Sequence, residues 1–243
     1  LLTMIANVYS IKENLPSRRV ELYADILHVS LERRYRKDDN DLVDTEFLST
    51  SQKMELLEIL AFDMMDKNAL DVEEIVIYDL IKRALYDVDP NFDVKSFLKS
   101  IREQSDLLIE AEAGQYRFTH KTIQEYLASL YVVKNRNLEE ALLQKIGQEW
   151  WSETIRLYSA QENATLVIEK CLEKKPLTSD VLSLAIDLLA EGKWVKQNIK
   201  DQLESVLSGL TYSEENRKLI ARARLSSRIK LHMGVRGGVD NYL

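Results

Sequence analysis

The feature that most constrains this chain is one short β signal set into an otherwise helical sequence. Residues 107–118, Leu-Leu-Ile-Glu-Ala-Glu-Ala-Gly-Gln-Tyr-Arg-Phe, read as a tight hairpin pivoting on Gly114. Lys121-Thr122-Ile123-Gln124-Glu125-Tyr126-Leu127-Ala128-Ser129 then reads as an amphipathic helix. His120 lies at the junction. A histidine at a helix start faces free backbone N–H groups, a place suited to an anion such as phosphate, but it also serves there as a cap or a polar filler.

Around the hairpin the pattern is helical. Residues 1–13 read as the end of a buried helix, stopped near Asn14 and Pro16. From Ser17 to Arg36, Val20, Tyr23, Ile26, Leu27 and Leu31 keep helical spacing, and the polar run 37–41 breaks it. Ser49, Thr50 and Ser51 offer capping oxygens for a helix to Lys67, with Leu56, Leu57, Leu60, Ala61 and Met64 facing inward. A short extended piece is expected near Leu70-Asp71-Val72. Helices over 75–87 and 94–104 follow, the second capped by Asp93. Helix, short strand, two helices and a two-stranded hairpin is the order of a winged-helix domain.

After His120 helices are expected over 120–134, 138–147, 149–160, 163–174, 179–191, 194–208 and 214–231, with a frayed tail around 234–238. Short links between them suggest antiparallel pairs stacked like an α-solenoid, although no repeat of fixed period is visible. The expected fold is mainly α: a winged helix with a small β-hairpin, then a solenoid-like, HEAT-like stack. Only 7 Gly and 3 Pro among 243 residues agree with long helices and short links.

A net charge of −7 opposes non-specific nucleic-acid binding without excluding a local basic patch. The single Cys171 makes no internal disulfide, which suits a reducing cytoplasm. No apolar run reaches the ~20 residues that cross a bilayer. The first residues are apolar, lack a basic signal region and begin inside a helical pattern, as in a fragment of something longer.

Catalytic patterns are missing. There is no glycine-rich loop followed by Lys and Ser or Thr, no CxxC and no HExxH, and His28, His120 and His232 lie far apart. The chain is therefore expected not to be an enzyme by itself. Lys95, Lys99 and Arg102 form a stripe on the helix that would read DNA, flanked by Asp93 and Glu103 and facing a wing with Glu110 and Glu112. That stripe is either a phosphate-binding face or a solvated one. Trp150-Trp151 reads as a packing anchor, and Gln124 and Glu125 as the solvated or interhelical face of their helix.

Three segments carry a resemblance. Phe118-x-His120-x-Thr122-x-Gln124-Glu125-Tyr126-Leu127-Ala128 resembles the F-x-H-x-[ST]-[FL]-Q-E-[FY]-x-A-A segment of NACHT-type STAND ATPases, which include NOD-like receptors and bacterial relatives. Leu1-Leu2-Thr3-Met4-Ile5-Ala6 is similar to the tail of the family's N-P-L-L-L-T-M-I-A helix, and Leu15-Pro16-x-x-Arg19-x-x-Leu22-Tyr23 to the following turn and helix. Ile123 and Ser129 depart from the pattern by mild packing changes.

The resemblance implies that residues 1–50 end a helical domain of the ATPase module, 51–119 form its winged-helix domain and 120–243 a helical region. It implies that His120 contacts the β-phosphate of ADP, with ATP or ADP and Mg²⁺ held mainly by an upstream nucleotide-binding domain. The winged helix would be a lid and the helical arm a link to a sensor region or its ligand. Homo-oligomerisation on activation, a bacterial defence setting and signal transduction in the cytoplasm follow from the same likeness. The alternative is a winged-helix DNA-binding regulator with a helical dimerisation arm.

Overall fold

The computed structural model describes residues 1–32, 48–86, 89, 91–210 and 213–225. They belong to two compact units, the first Leu1–Tyr158 and the second beginning at Ser159. The polar run 37–41 and the tail 234–238 lie outside the described residues.

In the first unit, α1 (Leu2–Lys12) packs on α2 (Arg19–Glu32). Glu13 ends α1 in the left-handed region, φ 60°, its N–H bonded to the Tyr9 carbonyl. α3 (Thr50–Asp66) begins at a reciprocal cap: Ser49 accepts the Gln52 N–H, and the Gln52 side chain returns to the Ser49 N–H. Of the three hydroxyl residues available, Ser49 takes the role. The inward face of α3 is wider than its leucine spacing indicates, because Lys53, Glu58 and Met65 are buried beside Leu56, Leu57, Leu60, Ala61 and Met64. The neighbours explain this: α3 touches α2, α4 (Glu74–Ala84) and α6 (Lys121–Lys134), so several of its sides are covered.

Asp93 caps α5 (Val94–Gln104) by accepting the N–H groups of Lys95 and Ser96, as expected. The hydrogen bonds hold its carboxyl below the usual range, led by that from the Ser96 hydroxyl. Val94, Phe97, Leu98 and Ile101 form the buried face of α5. The extended segments make a three-stranded antiparallel sheet rather than a lone hairpin. Its order is β1 (Val72–Glu73), β3 (Gln115–Phe118), β2 (Leu108–Glu112), with Val72 opposite Tyr116 and Leu108 opposite Phe118. Gly114 turns the hairpin at φ +74°, which favours glycine. Leu108, Tyr116 and Phe118 point to the core, whereas most of β2 faces solvent. Three helices and this sheet are a winged helix, joined to α6 by the Thr119-His120 turn.

α6 lies along α3, and its residues 123–129 are all buried. The expected helix 138–147 is shorter, α7 (Glu139–Gln144), after a 3-10 turn at Arg136–Leu138. A second such turn, Glu149–Trp151, leads into α8 (Ser152–Gln161). Trp151 is buried, its ring 6.1 Å from Phe62, so it does act as a packing anchor.

The second unit contains α9 (Thr165–Glu173), α10 (Ser179–Glu191), α11 (Gln197–Ser208) and α12 (Glu214–Leu225). α9 packs on α10 and α11, and α10 on α12, so contacts run between near neighbours in sequence. Thr178 caps α10 by accepting the Val181 N–H. The turn after α10 is fixed by its main chain: the Trp194 carbonyl accepts the Ala164 N–H, and the Lys196 N–H donates to the Thr165 hydroxyl. The chain is mainly α, with the small sheet confined to the first unit.

Candidate functional site

β3 delivers the chain to His120 in extended geometry, φ −137° and ψ 131°, and α6 starts at the next residue. The position is the N-cap, yet the imidazole makes no capping bond to its own helix. The Thr119 hydroxyl bonds the Asp106 carbonyl and its N–H bonds the Leu107 carbonyl, which fixes the turn from both sides. The His120 carbonyl accepts the Ile123 and Gln124 N–H groups at 2.9 and 3.4 Å. Backbone duty is thus met without the side chain, and the ring is left for other work.

That ring, half-buried, meets the backbone nitrogen of Leu1 through Nε2. Leu1 is the N-cap of α1, so the starts of α1 and α6 converge on one imidazole although they are 119 residues apart. Burial pushes the imidazole below its ordinary 6.5. At neutral pH the ring is neutral, with one N–H to donate and one nitrogen to accept. First-turn N–H groups of two helices beside a neutral imidazole form a surface able to bind an anion.

The other histidines do not join it. His28 is exposed on α2, 2.9 Å from Glu32, and His232 lies outside the described residues. Among the described residues, no group of three or more His, Cys, Asp or Glu side chains is placed to hold a metal ion. No helix among them is long and apolar enough to cross a membrane.

Gln124 and Glu125 prove interhelical rather than solvated. The Gln124 amide donates to the Ala69 carbonyl at 3.0 Å, tying α6 to the end of α3. Glu125 is buried and accepts Lys121 at 2.6 Å; burial raises its carboxyl, with Lys121 opposing. The basic stripe on α5 is reduced in the fold. Lys95 and Lys99 are exposed, but Arg102 bonds Glu110 on the wing at 2.6 Å and lies 3.7 Å from Glu103. Glu112 is exposed on the same wing. A phosphate backbone would meet two lysines and at least one uncompensated carboxylate.

These features define a winged-helix domain set in a helical frame, with His120 at the exit of the wing. Residues 19–132 match a family described as the winged helix-turn-helix domain C-terminal to NACHT, and this segment belongs to it. The match supports a C-terminal part of a NACHT protein, and no glycine-rich phosphate-binding loop occurs in the 243 residues. No curated protein matches the chain.

One part of the site escaped sequence reasoning. Leu1 lies in the segment similar to the tail of the family's N-P-L-L-L-T-M-I-A helix, but nothing local indicates that the start of α1 lies beside His120.

Proposed function

We propose that this chain is the lid and helical arm of a nucleotide-switched signalling ATPase. Residues 51–119 act as the lid over ADP, residues 1–50 complete the helical domain beneath it, and residues 120–243 lead to a sensor. The observation that carries this reading is the placement of His120, the N-cap of α6 whose half-buried ring makes no capping bond to its own helix. The imidazole N–H would donate to the β-phosphate of ADP, and the upstream NACHT domain would supply the phosphate loop and Mg²⁺ site. Losing one such bond costs on the order of 1–3 kcal/mol, enough to bias a two-state switch severalfold to a hundredfold.

α1 supports an upstream packing partner. It is apolar nearly all round, yet only Met4 and Val8 are buried, while Leu2, Tyr9 and Ile11 are 83%, 57% and 63% exposed. A helix of that composition is ordinarily covered on more than one side. The NACHT domain that precedes this family is the fitting cover.

The setting proposed is the cytoplasm, in a bacterial defence system, with homo-oligomerisation when the lid opens. The test uses a full-length protein containing the NACHT domain, loaded with fluorescent ADP. His120→Ala is expected to speed ADP release at least fivefold and to give oligomers without ligand. Unchanged release and unchanged assembly would remove His120 from the site.

A further inference from the structure

The family match ends at residue 132, but the chain beyond it returns to the winged-helix frame and is bonded to it repeatedly. Trp150 donates its indole N–H to the Met65 carbonyl at the end of α3, 3.0 Å away. Its ring carries the Lys121 ammonium 4.2 Å from the centroid, in the first turn of α6. Lys145 bonds Asp66 at 2.9 Å. Glu153, on α8, accepts Arg19 at the first residue of α2, 2.7 Å away and 134 residues distant in sequence.

These contacts surround the segment that carries His120. Lys121, the residue after it, is held between the Trp150 ring and the buried Glu125 carboxylate. The Glu125 carboxylate also feels the charges of Glu153 and Arg156, and Arg156 lies 3.5 Å from Glu153. Arg19 completes the set by hydrogen bonding Tyr23, whose ring lies 5.6 Å from that of Tyr126 on α6. Opposite charges from α2, α6 and α8 therefore alternate around the start of α6. Most of these side chains are at least half-buried, where ion pairs are screened less than on an open surface.

We propose that residues 145–156 are a clamp that sets the position of the first turn of α6, with Trp150 and Glu153 as positioning residues for His120. α8 carries the chain out of the first unit. Release of Glu153 from Arg19 and of Lys121 from Trp150 loosens the His120 turn without touching the histidine. The clamp rests on the lid reading for its consequence, faster nucleotide release, but not for its structural effect.

Two readouts separate the two ideas. In the 243-residue chain without nucleotide, the Ile123 and Gln124 amides report on the turn, since both bond the His120 carbonyl. Glu153→Arg, Arg19→Glu and the milder Glu153→Gln should each speed their exchange about fivefold or more and shift the His120 ring resonances. The double variant Arg19→Glu/Glu153→Arg should restore both, and Trp150→Ala should not be rescued by it. Unchanged exchange in Glu153→Gln, or no recovery in the double variant, would overturn the clamp.

In the full-length protein, the same single variants should release ADP about fivefold to tenfold faster, a coupling typical of contacting pairs. Adding His120→Ala to Glu153→Arg should then release ADP no faster than His120→Ala alone. Additive effects would mean that Glu153 acts elsewhere, and the positioning role fails. If His120→Ala leaves release unchanged while the exchange pattern holds, the lid reading fails and the clamp stands.

Discussion

Glu58 is the least comfortable charge in the first unit, and its replacement by glutamine should stabilise the fold. It sits mid-way along α3, 1% exposed, facing α6. One carboxylate oxygen accepts Lys134 at 2.7 Å, and the other, also buried, has no partner. The Lys134 side chain is 51% exposed, so water screens the pair and its contribution is about 0.5–1 kcal/mol. A buried charged acceptor left without a partner costs roughly 1–3 kcal/mol. The cost exceeds the gain, and burial accordingly raises the Glu58 carboxyl above 4.5 despite Lys134.

Glutamine keeps the shape and a bond to Lys134; its amide NH₂ takes the partnerless position, where a neutral group costs less than a charge. The net gain at pH 7 is about 1 kcal/mol, or roughly 2–4 °C in the melting temperature for a chain of this size. The pH dependence gives an independent check. A carboxyl whose pKa is raised on folding binds its proton more tightly in the folded state. Acidification from neutral pH towards 4.5 therefore stabilises the wild type through this group, and the advantage of Glu58→Gln should shrink over that window. Glu58→Ala also removes the charge but loses one buried methylene, about 0.8 kcal/mol, and the Lys134 bond, so it should melt near the wild type. The measurement is calorimetric melting of the three proteins from pH 4.5 to 7.5. Glu58→Gln melting below the wild type at pH 7, with the difference constant across pH, would refute the reasoning.

Two glycines should fail for different reasons. A Cβ at Gly192 would lie 2.5 Å from the Leu188 carbonyl oxygen and 2.7 Å from the Ala164 Cβ, so Gly192→Ala should destabilise the second unit by about 2 kcal/mol in urea melts. Gly114 has nothing within 4 Å of a built Cβ but φ +74°, so Gly114→Ala should cost only about 1 kcal/mol, in the first unit. Cys171 is fully buried and its thiol is pushed up to about 12, so an aromatic disulfide reagent at pH 8 should label it only at the rate of unfolding; prompt labelling of the native chain would contradict its burial.

Local chemistry was legible in the sequence, and distant pairing was not. The Ser49 and Asp93 caps depend on residues within three positions, and both appear where expected. The hairpin was visible in one glycine and alternating residues, but the two-residue β1 was not a strand until β3 lay beside it. Glu58 and Lys53 looked like ordinary polar positions, because their burial depends on which helices cover α3. The same limit applies to the site. His120 is conspicuous from its junction, whereas Leu1, Trp150 and Glu153 acquire meaning only after contacts across 29 to 134 residues.

The segment that carries the family likeness can now be divided by physical role. Phe118 fills the core opposite Leu108, Gln124 closes the end of α3, Tyr126 stacks near Tyr23, and Leu127 and Ala128 are fully buried against α3. Glu125 is held by Lys121. Burial raises the Tyr126 hydroxyl to about 12, so it stays protonated and neutral within the packing. Each of these residues is needed to seat α6, and none has chemistry to spare. His120 differs: its backbone completes the turn, its ring caps nothing in its own helix, and its Nε2 points to another helix start. Most of the motif is therefore a fold signature, and the function it implies rests on the one side chain that the fold does not use. The clamp matters for the same reason. Lys121, the residue next to His120, is held by the Trp150 ring, outside the matched domain.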